Sequence, residues 1–323
     1  MTVSERPLFR IRRPSLPALA LLCVSLVLAA RPAQAAEPDY TGYAALLQKY
    51  LHVTSAKGQP YDTRFDYEQL FIDENIWTLK RAEGLATLHT QLLSVSPDAM
   101  TPRERQAWAL NAYNFMVIER MTLRLLVPGR KFMRYDSPKQ VNADDGTFFA
   151  APVAQIDGRR YSLDGFERRF VYGDTATRPI EDAIGVREVG GDPRLQFALV
   201  RGSLCSTPLL PWVFRADSLE AQLDRATRIG LAVPAWIRLD AATGMLSASN
   251  RFFEERADYG GTAMTGLMPF LGKHAPLAVR KVISARKLVK PDLYFEPDWK
   301  LNQYEHPRPK LPGADSTGTF KKL

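Results

Sequence analysis

"TPRERQAWALNAYNFMVIERMTLRLL", residues 101–126, decides how the rest of the chain is read. Thr101 suits a helix N-cap, Pro102 the first helical position and Glu104 the third, which is the spacing of a capping box. Proline does no harm there, because first-turn N–H groups have no intrahelical partner. From Ala107 onward the segment is apolar on nearly every face, which predicts a central, buried helix. It should end before Pro128-Gly129. Asn111 and Asn114 interrupt that apolar surface. At i and i+3 they share a face. A buried amide left unpaired costs about 1–3 kcal/mol, so both must find partners.

Outward from this helix, "DENIWTLKRAEGLATLHTQLLSV" (73–95) has helical spacing, weakened in its middle by Gly84. Tyr40 to Val53 reads as a short helix. "FFAAPVAQI" (148–156) and the surroundings of Tyr161 read as strands, and Ser162 caps "LDGFERRF". "LQFALV" (195–200) reads as a buried strand. Residues 173–193 read as a long loop. Asp217-Ser218-Leu219-Glu220 is a second capping box, for a helix to Ile229. "PAWIRLDAATGMLSAS" (234–249) reads as a hairpin. Ser249 caps the segment that follows it, and helices are expected at 263–272 and 276–289. Helices and strands come without steady βαβ alternation. The expected fold is therefore α+β: several helices packed on a small, mostly antiparallel sheet in a single main domain. That domain spans 61–302, after a leader at 36–60 and before a flexible basic tail at 303–323.

The chain has 323 residues and a formal net charge of +8. Residues 1–35 read as a cleaved signal peptide: basic residues, an apolar run from Ala18 to Ala30, then the small-x-small site Ala33-Gln34-Ala35. The expected location is periplasmic. The signal peptide holds five arginines and one glutamate, so its removal lowers the net charge to +4. This excess makes no case for a nucleic-acid partner. No later segment is apolar enough to span a bilayer, so no membrane contact is expected after cleavage. Cys23 leaves with the signal peptide, and Cys205 is then alone, without a disulfide partner. His52, His89, His274 and His306 are far apart and lack ligand spacing, and no glycine-rich phosphate loop occurs. Neither a metal nor a cofactor is expected.

Two sets of residues could carry function. In "GSLCS" (202–206), Cys205 or Ser206 could act as a nucleophile in an envelope amidase, peptidase or acyltransferase. His89 or His274 would have to be brought there by the fold. The second set is Asn111, Tyr113, Asn114, Asp164, Glu167, Asp192 and Arg194. These line a cleft for a small polar or peptide-like ligand, or form an internal hydrogen-bond network. A third reading is a scaffold that binds a protein partner through 303–323.

Five segments in order resemble the bacterial and plant domain-of-unknown-function 547 family. They are "AWALNAYNFMVIE" (107–119), "IDGRRYSLDGFERRF" (156–170), "DPRLQFALVRGSLCSTPLLP" (192–211), "LDAATGMLSASNRFFEERADYGG" (239–261) and "LYFEPDWKLN" (293–302). The resemblance implies no established activity. It matches Asn111, Tyr113, Asn114, Glu167, Asp192, Arg194, Asp298, Trp299 and Asn302 position by position. This chain departs where many members have a histidine before "FAL", because it has Gln196. It departs again at two cysteine positions, which hold Arg201 and Ser206, with Cys205 one place before the second.

Overall fold

The computed structural model describes residues 37–57, 59–76, 82–130, 133–143, 146–174 and 190–307. The expected signal peptide, most of the expected 173–193 loop and the chain from residue 308 lie outside them. In chain order, α1 (Thr41–Tyr50), β1 (Leu51–Val53), β2 (Thr63–Phe65), α2 (Tyr67–Asp73) and α3 (Glu83–Leu93) lead to α4 (Pro102–Leu123). The middle comprises β3 (Asn142–Ala143), β4 (Gly146–Thr147), β5 (Pro152–Ile156), β6 (Arg159–Ser162), α5 (Leu163–Phe166) and α6 (Leu219–Ala232). Next come β7 (Ile237–Leu239), β8 (Leu246–Ser249), α7 (Arg251–Glu254), α8 (Leu267–His274), α9 (Leu277–Arg286) and β9 (Leu293–Phe295).

The architecture is α+β, with the strands among the described residues divided among four small sheets. Three are antiparallel pairs, β1–β2, β3–β4 and β5–β6; the fourth is β7–β8–β9, in which β9 joins β8 in parallel. The expected 234–249 hairpin is β7–β8. Among the described residues no helix is long and apolar enough to cross a membrane.

α4 is the central helix. Its capping box forms: the Glu104 N–H donates to Thr101 Oγ1 at 3.3 Å, and the Thr101 N–H donates to the Glu104 carboxylate at 2.8 Å. Every residue from Ala107 to Ile118 is buried. Trp108 Nε1 donates to the Leu92 carbonyl at 2.6 Å, which ties α3 to α4. The main apolar core surrounds α4, and a second gathers Phe197, Trp236, Phe252, Tyr259 and Leu271.

Four sequence expectations are corrected. The helix expected over 73–95 is shorter: α3 runs from Glu83 to Leu93, and Asp73 is instead the last residue of α2. Gly84 lies in the first turn of α3, where Glu74 accepts from the Gly84 and Leu85 N–H groups at 3.0 and 3.3 Å. A Cβ at Gly84 would meet that carboxylate at 2.3 Å. Second, "LQFALV" is buried but is not a strand; Leu195–Phe197 forms a 3₁₀ turn. Its burial comes from position, since Leu195 and Ala198–Val200 join the main core and Phe197 the second. Third, Ser218 does not cap α6 with its side chain but donates to Asp217. Fourth, the chain stays packed past Asn302. Gln303 Oε1 accepts from the Tyr67 N–H at 3.1 Å, and His306 pairs with buried Asp66 at 2.8 Å.

Candidate functional site

The polar residues flagged by sequence fall into three separate places. Asn111 and Asn114 are structural ties. Asn111 donates to the Phe214 carbonyl and accepts from its N–H, both at 2.8 Å. Asn114 donates to the Ala198 carbonyl at 2.9 Å and accepts from the Val200 N–H at 3.0 Å. Each side-chain amide thus takes the part of a neighbouring strand. The Asn114 bonds satisfy backbone groups of 195–200, which is buried without belonging to a sheet.

Asp192 and Arg194 form a second group. Arg194 reaches Asp192 at 2.6 Å, Glu220 at 2.6 Å and Asp224 at 2.9 Å, fastening the Asp192–Arg194 turn to α6. Neither lines the pocket described next.

Glu167 and Tyr113 belong to the third. Ser162 caps α5 by accepting from the Gly165 N–H, as the sequence suggests. The chain then widens into a π-turn over Glu167–Val171, with the Tyr172 N–H donating to the Glu167 carbonyl at 3.1 Å. Such widened turns are frequent at functional sites. Glu167 meets the guanidinium of Arg201 in a fork, at 2.6 and 2.8 Å. Arg201 also donates to the Tyr113 hydroxyl at 2.6 Å. Glu255 bridges Arg201 at 3.5 Å and Arg251 at 3.2 Å, and Arg251 pairs with Glu254. Arg201, Glu167, Arg251 and Glu255 are all buried. Burial works against the Arg201 charge. Glu167 and its neighbours more than offset this, so the guanidinium holds its proton above the usual range.

These ion pairs form one wall of a pocket of about 330 Å³. Lys139, Phe149, Asp164, Arg168 and Trp299 complete it. The Asp164 N–H donates to the Phe149 carbonyl at 3.1 Å, which sets those two residues side by side. Phe149 and Trp299 meet edge to face, and the Lys139 ammonium lies 3.9 Å from the centre of the Trp299 ring. Among the described residues Lys139 has no carboxylate partner and the Asp164 carboxylate no cation or hydrogen-bond partner. Burial, and next the charge of Glu167, push the Asp164 carboxyl up to about 7. At neutral pH it can therefore take up or release a proton.

Cys205 and Ser206 stand apart from this pocket's lining. Cys205 is wholly buried, with its sulfur 3.0 Å from Ser203 Oγ, and burial pushes its thiol above the ordinary range. Ser206 Oγ donates to the Ser203 carbonyl and accepts from the Arg201 N–H, closing the turn. The histidines are engaged elsewhere: His89 with Glu119, His52 and His306 with Asp66, and His274 against Phe270. Gln196 donates to the Tyr259 hydroxyl. Among the described residues no group of three or more His, Cys, Asp or Glu side chains is placed to hold a metal ion.

Sequence reasoning missed Arg201, Arg251, Glu254, Glu255 and Lys139 as pocket residues. The "FFEER" run offered a signal, because its charges follow directly on aromatic residues.

No curated protein and no solved structure matches the chain. Three of the five resembling segments fall within the range recognised by a family model, and the last two follow it. Arg251, Glu254, Glu255 and Trp299 complete the pocket from outside that range. Residues 97–229, which carry α4, Lys139, Asp164, Glu167 and Arg201, match the family described as "Protein of unknown function, DUF547", and this stretch is a domain of that family.

Proposed function

We propose that the pocket binds a small polar ligand of amino-acid or peptide-like size that carries both a cationic and an anionic group. The observation that carries this reading is the pair of opposite charges left without ionic partners on its walls, Asp164 and Lys139. The Arg201–Glu167–Arg251–Glu255 cluster behind them is internally compensated and buried, so it forms a fixed polar floor. A ligand ammonium beside Asp164 favours the ionised carboxylate, and a ligand carboxylate can reach Lys139. Trp299 and Phe149 supply flat apolar walls.

Titration calorimetry of the full chain against free amino acids, dipeptides and their N-acetylated forms tests this reading. Zwitterionic members should bind, and Asp164→Asn and Lys139→Met should each weaken binding about tenfold, the worth of one charge-assisted contact. Binding that survives both substitutions, or a panel in which nothing binds, refutes it.

The leader-like N-terminus supports a periplasmic site for this binding. Export should yield a chain that begins at Ala36, which N-terminal sequencing of the secreted protein reads directly. The hydrolase reading through Cys205 or Ser206 gains no support from the geometry.

A further inference from the structure

Charge is unevenly placed along this chain. From Tyr259 to Pro291 there is no Asp or Glu, against six Lys or Arg residues. This stretch carries α8, α9 and the turn that leads to β9. One of the six, Arg286, pairs with Asp292 at 2.8 Å. Arg280, Lys281, Lys287 and Lys290 are exposed and, among the described residues, have no carboxylate partner. The neighbouring hairpin brings Asp240, whose carboxylate accepts from the Ala242 and Thr243 N–H groups of its own turn.

α9 buries Val279 and Ile283 in the second core. Its opposite side, at i, i+4 and i+7, presents Leu277, Lys281 and Ser284, all exposed. Arg280 and Lys287, seven residues apart, flank that side. Lys287, with φ at 50°, ends the helix in the left-handed conformation. The Leu288 N–H then donates to the Ile283 carbonyl at 3.1 Å, and Leu288 packs against the second core. Pro291 is buried as well. With Leu288 and Pro291 anchored inward, Val289 stands 84% exposed between Lys287 and Lys290. Leu277 and Leu293 are 57% and 53% exposed. Single exposed apolar residues are ordinary. Here they alternate with unpaired cations in a stretch without acids.

We propose that this face, α9 with the 287–293 turn, docks on the surface of an anionic lipid bilayer. Val289 enters the headgroup region, and Arg280, Lys281, Lys287 and Lys290 meet lipid phosphates. Basic helices with exposed apolar residues lie on such surfaces, held by apolar burial and charge together. An acidic protein would engage the cations, yet would gain nothing from a valine held out between two lysines. The sequence expects no membrane contact because no later segment can span a bilayer. Lying on a surface takes only a few apolar side chains and a set of cations. The face shares no residue with the charge-lined pocket.

Co-sedimentation of the secreted chain with lipid vesicles tests this. Phosphatidylcholine vesicles with about 30% phosphatidylglycerol should retain it, and pure phosphatidylcholine should not. Salt at about 0.5 M should release it. Lys287→Gln with Lys290→Gln should weaken retention about twentyfold, since each cation at such a surface contributes about fivefold. Val289→Ser should weaken it about fivefold. Arg103→Gln, on the exposed first turn of α4, should bind within about twofold of the parent. All these positions are exposed, so melting temperatures should match. Absence of retention of the parent overturns the proposal, as does a double variant that binds like the parent. An Arg103→Gln loss as large as the double variant's also overturns it, because net charge alone would then be responsible. So does a Val289→Ser protein that binds like the parent, because the face would then recognise polyanions such as an acidic protein and not a bilayer.

Discussion

Replacing Asn114 by alanine tests the view that α4 holds the buried 195–200 segment by a side-chain amide. The substitution deletes two hydrogen bonds, to the Ala198 carbonyl and from the Val200 N–H. Ala198 and Val200 are 3% and 6% exposed, so water reaches neither group readily. Each orphaned backbone group costs about 1–3 kcal/mol, which gives about 2–6 kcal/mol for Asn114→Ala. That is a large share of a usual folding stability of about 5–15 kcal/mol. Urea unfolding followed by circular dichroism reads the loss as a lower midpoint at unchanged slope. Arg103→Ala, in the exposed first turn of the same helix, serves as a control and should stay within about 0.5 kcal/mol of the parent. A loss below about 1 kcal/mol for Asn114→Ala would show that the segment holds itself, and the tie would be refuted.

Cys205 should resist iodoacetamide in the native state and react only on unfolding, because its sulfur is sealed and its thiol stays protonated; stoichiometric labelling of folded protein at neutral pH would contradict this. Asp164 gives stability a pH dependence of definite sign. Its carboxyl stands at about 7 in the fold against an ordinary 3.8, so the fold binds that proton more tightly than the unfolded chain does. The associated stability is present at low pH and is lost as pH rises from about 4 through about 7, and Asp164→Asn should flatten that decline. Equal pH profiles for the two proteins would count against it. Gly230→Ala should destabilise by about 1–3 kcal/mol despite alanine's better helix propensity. The added Cβ would sit 2.6 Å from Phe197 and 2.7 Å from Thr207 Oγ1. A thermal melt showing a gain would mean that this close approach is not real.

The sequence by itself determined α4, because its signals are local. A capping box acts within one turn, and a helix apolar on every face must be buried whatever surrounds it. The β7–β8 hairpin and the Ser162 cap were legible for the same reason. Periodicity could not distinguish a buried strand from a buried irregular segment, since both read as an apolar run. Only the tertiary structure supplied the difference, through the Asn114 side chain, distant in sequence from the Ala198 and Val200 backbone that it holds. The site follows the same division. Glu167 and Tyr113 were picked out as polar residues in apolar elements. Arg201 entered the sequence reading only as a departure from a cysteine pattern. Its role as the centre of an ion-pair cluster depends on Glu255, 54 residues further on, and on Glu167 across the fold. Opposite charges attract over a few ångströms of space, and no spacing along the chain records that distance.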